Sequence, residues 1–249
     1  MRTGTVAVVT GGSRGIGAAT AVELATRGWD VCIAYVQDEV AATKVVAECE
    51  ATGRRVAAVR ADVASATDVA ALFAAADELG PLGALVNNAG IVPPVNRVED
   101  AEPTALARLL AVNVIGPFLC AREAVLRMST RHGGAGGSIV NVSSIAARHG
   151  APGEHVDYAA SKGALDSMTI GMAKEVAGEG VRVNTVRPGT IATDIQLAHG
   201  DPERLVRRAR ETPIGRLGEP IEVASAIAWL CSDEASFVVG AVLDIGGGR

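Results

Sequence analysis

A tyrosine and a lysine four positions apart, preceded by a pair of serines, are the residues best suited to chemistry. Tyr158 and Lys162 lie in a helical pattern, so their spacing places both side chains on one helix face. A phenol titrates near ~10 and a neighbouring ammonium favours the phenolate, so we predict a lowered pKa for Tyr158. Such a phenol exchanges a proton with a carbonyl or alcohol oxygen, and a hydrogen bond from Ser144 would hold that oxygen.

Each of these residues also has a simpler interpretation when it is taken alone. A Tyr-x-x-x-Lys pair is usually a solvated helix face, and a Ser-Ser pair after a strand is usually a turn or a helix cap. Asn113, which lies inside another helical pattern, would ordinarily be a packing or capping residue. The catalytic interpretation therefore depends on finding these residues together and behind a nucleotide-binding loop.

A glycine-rich turn near the start of the chain supplies that loop. It follows an apolar run and precedes a helical pattern, and it reads Thr10-Gly11-Gly12-Ser13-Arg14-Gly15-Ile16-Gly17. Glycines let the backbone turn sharply and approach a pyrophosphate, whose charge is favoured at the N-terminus of the following helix. The alternative is a tight strand–helix connection without a ligand.

Short apolar runs alternate with helical patterns along the whole chain, and these are the elements that must position the polar residues. The runs are continuous rather than alternating in polarity, which is typical of parallel strands covered on both faces. One helix has an apolar face that includes Ala21 and Leu24, and another begins with Pro220 in its first turn. We predict a single Rossmann-type domain over residues 1–249, a doubly wound parallel sheet of about seven strands with helices on both faces. The predicted strands are Thr5–Thr10, Val31–Tyr35, Val56–Arg60, Ala84–Asn87, Ser138–Ser143, Val181–Val186 and Ala241–Ile245.

Composition excludes several other classes of protein. The 249 residues are 49% hydrophobic with a net charge of −5 and no basic stripe, so no nucleic-acid partner is expected. No apolar run approaches the ~18 residues of a membrane helix and no signal peptide is evident, which indicates a cytoplasmic protein without a membrane partner. The four cysteines are widely spaced and are expected to be buried free thiols, and no metal-ligand spacing occurs.

Further polar motifs follow the later predicted strands in a recognisable order. Asn88-Ala89-Gly90 follows the fourth strand, Ser144 ends the fifth, and Pro188-Gly189 follows the sixth. With Asn113 and the Tyr158–Lys162 pair, these motifs make the chain resemble a short-chain dehydrogenase/reductase over almost its whole length. The resemblance is to the glucose 1-dehydrogenase-like and 3-oxoacyl-carrier-protein-reductase-like branch. It implies hydride transfer between a nicotinamide and a carbonyl or secondary alcohol, catalysed by Asn113, Ser144, Tyr158 and Lys162.

The resemblance also implies roles for individual residues. Asn113 would help hold a water that links Lys162 to solvent, and Lys162 would also hold the nicotinamide ribose. Asp62 would contact the adenine ring, although an Asp after a strand is equally often a helix cap. For Asn88, satisfying buried backbone groups is the stronger interpretation. Besides Tyr158 and Lys162, the implied cofactor-binding residues are Gly11, Ser13, Arg14, Gly15, Ile16, Gly17, Tyr35, Asp62, Val63, Asn88, Ala89, Gly90, Pro188, Gly189, Ile191 and Thr193.

Cofactor preference is predicted from the end of the second strand. Tyr35 stands where NAD-linked relatives place an acidic residue, and Arg14 offers a guanidinium to a 2′-phosphate. We therefore predict NADP(H) rather than NAD(H), although Val36 and Gln37 add no second cation and Asp38 would weaken the site. The alternatives are an NAD-linked alcohol or sugar dehydrogenase, and a cofactor-sensing binding module, which should have lost part of the tetrad.

The substrate is a small carbonyl or alcohol that the sequence does not identify further. We expect Val92–Asn96, Ile145–Glu154 and Ile195–Arg210 to border its pocket. His155 could touch substrate, but a lone histidine in a loop is more often solvated. The helical patterns Thr104–Met128 and Asp157–Ala177 resemble those that pair between subunits in this family, so a homotetramer is expected.

Overall fold

The computed structural model describes residues 4–193 and 202–249, and its centre is a sheet of seven parallel strands. The spatial order of the strands is β3-β2-β1-β4-β5-β6-β7. Crossovers therefore run in opposite directions on the two sides of the β1–β4 pair, which makes this the switch point of a doubly wound sheet. The strands are β1 (Val6–Val9), β2 (Asp30–Tyr35), β3 (Val56–Arg60), β4 (Leu82–Asn87), β5 (Gly137–Val142), β6 (Val181–Pro188) and β7 (Val242–Ile245).

Helices cover both faces of the sheet, as predicted. One apolar layer joins the sheet to α3, α5 and α7 through residues such as Phe73, Met128 and Leu165. The other joins it to α1, α2 and α9 through Leu24, Val45 and Ile227. The helices are α1 (Gly15–Thr26), α2 (Glu39–Glu50), α3 (Ala66–Leu79), α4 (Pro103–Leu110), α5 (Gly116–Met128), α6 (Ala146–His149), α7 (Val156–Val176), α8 (Pro202–Glu211) and α9 (Pro220–Cys231).

The starts of several helices follow from local sequence. Asp38 precedes α2 and accepts a hydrogen bond from the Ala41 backbone N–H at 2.9 Å. Ser65 precedes α3 and accepts from the Asp68 N–H at 3.2 Å. Pro220 occupies the first turn of α9, which confirms the prediction, because a first-turn N–H has no helical partner to lose. These caps fix where the loops between strands and helices end.

The helical segment Pro103–Met128 is long and apolar enough to cross a membrane by length and composition, contrary to the expectation of no such run. In the structure, a π-helical turn, Ala111–Ile115, joins α4 to α5 within it. Cys120 and Ala124 are fully buried in the core, while Arg127 forms ion pairs with the carboxylates of Asp77 and Glu123. A core helix of a folded domain satisfies the same test, and this helix packs against the sheet and α3.

All four cysteines are buried free thiols, which confirms the prediction. Burial raises the pKa of Cys32, Cys120 and Cys231 to about 12, so these thiols are poor nucleophiles at neutral pH. Among residues 4–193 and 202–249, no group of three His, Cys, Asp or Glu side chains is arranged to hold a metal ion.

Candidate active site

A cavity of about 190 Å³ opens at the carboxyl ends of β4, β5 and β6. Most of the predicted site residues from these strand ends line it. From the catalytic set these are Ser144, Tyr158 and Lys162; from the cofactor set they are Ile16, Asn88, Gly90, Pro188, Gly189, Ile191 and Thr193. The structure thus brings together segments that are separated by up to 177 residues in the chain.

The glycine loop beside this cavity has the shape that a pyrophosphate needs. Gly11 and Gly15 have φ angles of +63° and +56°, which side chains rarely adopt. A Cβ on Gly17 would collide with the carbonyl oxygen of Gly11. Helix α1 begins at Gly15, and its first turn receives no hydrogen bond from a side-chain cap. The loop and the uncapped helix N-terminus therefore fit the phosphates of a dinucleotide.

Thr10 and Asn88 hold the glycine loop against the end of β4. The Asn88 side-chain amide donates to the carbonyl oxygens of Thr10 and Gly11 at 2.9 and 3.0 Å. The Thr10 hydroxyl accepts from the backbone N–H groups of Asn88 and Ala89, both at 3.0 Å. Asn88 thus satisfies backbone groups, as the sequence indicated. Thr10 was not among the predicted site residues, although a polar residue between an apolar strand and a glycine turn is a signal for it.

The segment from Pro188 to Thr193 closes the opposite side of the cavity. A Cβ on Gly189 would lie 2.9 Å from the Gly246 Cα, so the two backbones run in close contact. Ile191 pairs with Gly218 in an isolated bridge. A Cβ on Gly15 would lie 3.2 Å from Thr193 Cγ2, which shows that this segment meets the glycine loop across the strand ends.

A cation from the neighbouring strand β3, which the sequence analysis missed, lies beside the end of β2. Arg60 is the register partner of Tyr35, and its Nε donates to the Val36 carbonyl oxygen at 3.1 Å. Both Arg60 and Arg14 are exposed. Asp38, which was expected to weaken a phosphate site, instead caps α2. Only the parallel pairing of β2 with β3 places Arg60 here, so no local motif could have shown it.

Asp62 and Val63 follow β3 and do not line the cavity. The Asp62 carboxylate accepts from Arg108 at 2.8 Å and from the Ala64 N–H at 3.0 Å, so it is already well supplied with donors. Val63 is buried against Gly116, where a Cβ would lie 2.7 Å from its Cγ2. The capping alternative for Asp62 is wrong, because Ser65 is the N-cap of α3 and the Ala64 N–H lies in the turn before that helix.

Asn113 lies in the π-helical turn and is fully buried. Its side-chain oxygen accepts from the Ile91 N–H, and its amide donates to the Ile91 carbonyl, both at 2.9 Å. The same amide donates to the Ser161 hydroxyl at 3.1 Å. The side chain therefore joins the segment after β4 to helix α7, and its polar atoms all have protein partners.

Ser144, Tyr158 and Lys162 form the polar centre of the cavity. The Ser144 hydroxyl accepts from the Ala146 N–H at 3.1 Å and lies near enough to the Tyr158 phenol to lower its pKa. Lys162 is 4% exposed, and its Nζ donates to the Val142 carbonyl at 2.8 Å. That Nζ lies 5.7 Å from the centroid of the Tyr158 ring. A Cβ on Gly90 would lie 3.3 Å from that Nζ, so glycine at this position keeps the ammonium free of a tight contact.

The predicted lowering of the Tyr158 pKa is wrong for this structure. Burial raises the pKa of Tyr158 to about 12, against a smaller lowering by the hydrogen bond with Ser144. Burial also lowers the pKa of Lys162 to about 8, against an opposing effect of Asp166. Loss of hydration dominates both pKa shifts, and the Lys162 ammonium donates to a backbone carbonyl rather than to the phenol.

Five further polar residues line the side of the cavity that we term the substrate side. They are His149, Glu154, His155, Arg208 and Arg249. The first four belong to the predicted pocket segments or were predicted as a possible contact, so only Arg249 was missed. His155 is only 5% exposed, so its interpretation as a solvated loop residue is wrong. Val92 also lines the cavity, and the Asn96 N–H donates to the Glu154 carbonyl at 3.0 Å, which joins two of the predicted pocket segments. Of the third, Ile195–Arg210, residues up to 201 lie outside the described residues.

Dinucleotides bind at the switch point of sheets wound in this way. A buried phenol and hydroxyl that share a cavity with this binding region are groups that can handle the oxygen of an alcohol or carbonyl. Together the fold and the site define the class of protein, a nicotinamide-dependent oxidoreductase.

Comparison with known proteins supports this class. Residues 11–249 match a family model described as enoyl-(acyl carrier protein) reductase. An uncharacterised oxidoreductase of Escherichia coli (strain K12), YgfF, is 49% identical over 98% of this chain and 99% of its own. The cis-4-hydroxycyclohexanecarboxylate dehydrogenase of Sinomonas cyclohexanicum is 43% identical over 98% of this chain and 95% of its own.

A solved structure agrees with these relatives. The blue fluorescent protein from a metagenomic library, in complex with NADPH, is 36% identical and superposes with a TM-score of 0.91. The superposition covers 99% of this chain and 98% of that one. The chain belongs to the short-chain dehydrogenase/reductase family.

Proposed function

We propose that this protein transfers hydride between NADP(H) and a small carbonyl or secondary alcohol, with Tyr158 as the acid/base. The observation that carries the proposal is that Tyr158, Ser144 and Lys162 line one cavity, in which Ser144 lies near enough to the phenol to lower its pKa. A substrate oxygen placed against both hydroxyls would exchange its proton with Tyr158 and accept a hydrogen bond from Ser144. The bound nicotinamide would supply or accept the hydride.

The protonation state of Tyr158 favours reduction at neutral pH. A phenol with a pKa of about 12 is protonated at pH 7, which is the form that gives a proton to a carbonyl oxygen. Alcohol oxidation needs the phenolate, so its rate should rise with pH. Lys162, with a pKa of about 8, can exchange protons near neutrality. Because the Asn113 side chain is fully engaged, a water in the predicted relay would bind the backbone of the π-helical turn.

Replacement of Tyr158 by Phe tests this role. The variant keeps the ring and loses the hydroxyl, so kcat should fall about 10²–10⁴-fold. NADPH affinity, measured by the fluorescence of the reduced nicotinamide, should stay within about twofold, because the glycine loop, Lys162 and the Tyr158 ring are unchanged in the variant. Ser144→Ala should lower kcat less. A Tyr158→Phe variant with near-normal kcat on an established substrate would show that another group carries the proton.

The preference for NADP(H) is proposed from three residues at the open end of the cofactor region. Arg14 and Arg60 are exposed guanidiniums beside the glycine loop and the end of β2, and Tyr35 replaces an acidic side chain there. Guanidinium pairs with phosphate are strong because both partners are charged and the geometry is bidentate. The solved NADPH complex of a related protein supports the same preference. The alternative is an NAD-linked alcohol or sugar dehydrogenase.

Titration with both reduced cofactors separates these alternatives. We expect Arg14→Ala and Arg60→Ala each to weaken NADPH binding about tenfold and to leave NADH binding unchanged. Tyr35→Asp should reverse the preference. Arg122→Gln, on the exposed side of α5, is the matched control. A parent protein that binds NADH more tightly would contradict the proposal. Cofactor binding without turnover of any carbonyl or alcohol would favour the cofactor-sensing module.

We further propose a homotetramer. Helices α4 and α5, with the π-helical turn between them, leave Leu110, Ile115, Phe118 and Leu126 exposed, and α7 exposes Ile170. Apolar side chains of this size on adjacent helices favour burial between subunits. Light scattering at micromolar concentration should give four chain masses, and a single chain mass would refute it. A single domain over residues 1–249 and a cytoplasmic location stay predictions.

A further inference from the structure

The charge of the cavity lining is opposite to that of the whole chain. Among the described residues that line the cavity, Lys162, Arg208 and Arg249 are cationic and only Glu154 is anionic. The lining therefore has a formal excess of two positive charges, whereas the protein has a net charge of −5. Lys162 lies beside Tyr158, so the other two cations belong to the substrate side.

We propose that the substrate is an oxo or hydroxy acid whose carboxylate binds Arg208 while its reacting oxygen lies against Tyr158 and Ser144. The inference rests on the proposed function, because it assumes that this cavity receives the substrate. Arg208 is the specificity-determining residue, and Glu154 occupies the position that the substrate carboxylate takes.

Two carboxylates of the protein hold the Arg208 side chain in place without any substrate. Its side chain is 21% exposed, and its Nη1 donates to Glu211, three residues further along α8, at 3.1 Å. Its Nη2 donates to both carboxylate oxygens of Glu154, at 2.5 and 2.6 Å. A guanidinium this far removed from water needs an anionic partner at that nitrogen. The structure supplies one from a loop 54 residues away.

Glu154 is the partner that can move. Its side chain is 39% exposed, nearly twice the exposed fraction of Arg208. The backbone is held independently of the side chain, because the Glu154 N–H donates to the Ala151 carbonyl and the Glu154 carbonyl accepts from Asn96. Rotating the carboxylate into water therefore leaves the loop in place. A substrate carboxylate has the same planar geometry and charge, so it can replace Glu154 on Arg208.

Arg249 and His149 extend this recognition site. Arg249 donates to the same Glu211 oxygen as Arg208, at 3.4 Å, so one carboxylate holds both guanidiniums in position. The Nδ1 of His149 accepts from the Ala151 N–H at 3.1 Å, which leaves the N–H of a neutral ring at Nε2. Each of these groups presents donors, the complement of a carboxylate.

A matched pair of ketones tests the proposal. The acid is 4-oxocyclohexanecarboxylate and the neutral control is its methyl ester, both assayed with NADPH. We expect kcat/KM of the parent protein to be about 10- to 100-fold higher for the acid. Arg208→Gln should abolish that preference by raising KM for the acid, with kcat within about twofold and the ester within about twofold. Arg208→Lys should restore part of it.

Glu154→Gln should change KM for the acid in the opposite direction to Arg208→Gln. A purely structural role of the ion pair would not produce this result. Without a competing carboxylate at Arg208, KM for the acid should fall several-fold while KM for the ester stays unchanged. Arg207→Gln and Glu203→Gln, which remove the same charges from α8 at residues that do not line the cavity, are the controls. Equal losses on acid and ester in Arg208→Gln, or a parent that prefers the ester, would overturn the inference.

A binding experiment separates this inference from the proposed reaction. Cyclohexanecarboxylate has no ketone that could be reduced, so its calorimetric titration into the protein measures recognition of the carboxylate alone. We expect binding that Arg208→Gln weakens at least tenfold and that cyclohexanecarboxamide does not show. If the ester is reduced but the carboxylate does not bind in preference to the amide, the inference fails and the proposed function stands. If the carboxylate binds through Arg208 and no ketone is reduced, the proposed function fails and carboxylate recognition by Arg208 stands.

Discussion

The two sides of the cavity are held in place by different kinds of contact. On the cofactor side, contacts of backbone atoms and glycines predominate: the Asn88 side chain donates to the Thr10 and Gly11 carbonyls, and Gly17 packs against that same Gly11 carbonyl. On the substrate side, the loop that contains Glu154 is joined to α8 by a side-chain ion pair. The first arrangement leaves no room for an added methyl group, whereas the second can exchange one carboxylate for another.

This difference shows how one fold keeps a cofactor site and varies its substrate. Close backbone contacts define a fixed surface, and a change of side chain there disturbs the loop itself. A side-chain ion pair between a loop and a helix outside the sheet can be rebuilt without moving the sheet. We therefore expect the residues that select the substrate to lie outside the doubly wound core.

The largest effect should come from adding one carbon to the cofactor side. Gly17→Ala places a Cβ against the Gly11 carbonyl oxygen, so the loop must shift. We expect a loss of about 3 kcal/mol in the free energy of unfolding and at least a 100-fold weaker affinity for NADPH. Urea unfolding and nicotinamide fluorescence measure the two effects.

Gly171→Ala is the matched control for that substitution. Like Gly17, Gly171 lies in a helix, but it is exposed, and a Cβ there meets nothing within 4 Å. It should stabilise the protein by about 0.5–1 kcal/mol, because alanine loses less backbone entropy in a helix. If both variants behave alike, close packing does not distinguish the glycine loop.

A smaller effect is expected from removing the amide that anchors the loop. Asn88→Ala leaves two part-buried carbonyls without their donor, which costs about 2 kcal/mol in the free energy of unfolding. The comparable change on the substrate side, Glu154→Gln, should cost less than about 1 kcal/mol because its pair is partly solvated. Chemical denaturation of both variants checks the order, and a larger loss in Glu154→Gln would reverse the comparison.

Lys162, which lies between the two sides, should make stability depend on pH. Its pKa in the folded protein is about 8, below the value of 10.5 for a free lysine, so the folded state binds fewer protons between these values. The contribution of Lys162 to stability should therefore rise with pH from about 8 to 9.5, by about 2 kcal/mol, while the raised pKa values of the buried cysteines act in the opposite direction in parent and variant alike.

The comparison with Lys162→Met isolates this contribution. Thermal melting of the parent should gain a few degrees relative to the variant over that pH range. Above pH 10 the raised pKa of Tyr158 acts in the opposite direction, so the measurement stops below it. Parallel melting curves would mean that Lys162 titrates normally in the folded protein.

The smallest effect concerns the backbone of the substrate-side loop. Ala151 has a φ angle of +44°, the one positive φ among the non-glycine residues that the structure describes. Ala151→Gly should relieve strain and stabilise the protein by up to about 1 kcal/mol. Ala47→Gly, in the interior of α2 and exposed, should instead cost about 1 kcal/mol. Differential scanning calorimetry of the pair tests the expected difference in sign.

Prediction from sequence worked best where neighbouring residues carry the signal. Continuous apolar runs predicted all seven strands, with β4 beginning at Leu82 rather than Ala84 because two further buried residues extend it. The glycine spacing, the i, i+4 pair on α7 and the polar residues after β4, β5 and β6 predicted which segments meet at the carboxyl edge of the sheet. These are short-range patterns, and parallel strand order alone brings their ends together.

The sequence by itself therefore determined the elements, the sheet and the polar groups from the ends of β4, β5 and β6 that meet in the cavity. Tertiary structure alone decided the environment of each group: burial raised the pKa of Tyr158 and enclosed His155, strand pairing placed Arg60 beside Val36, and packing of α8 joined Arg208 to Glu154. The physical reason is the separation along the chain of the residues that interact. Helices and strands are indicated by patterns of neighbouring residues, whereas the hydration and electrostatic environment of a group depend on the distant segments that pack against it.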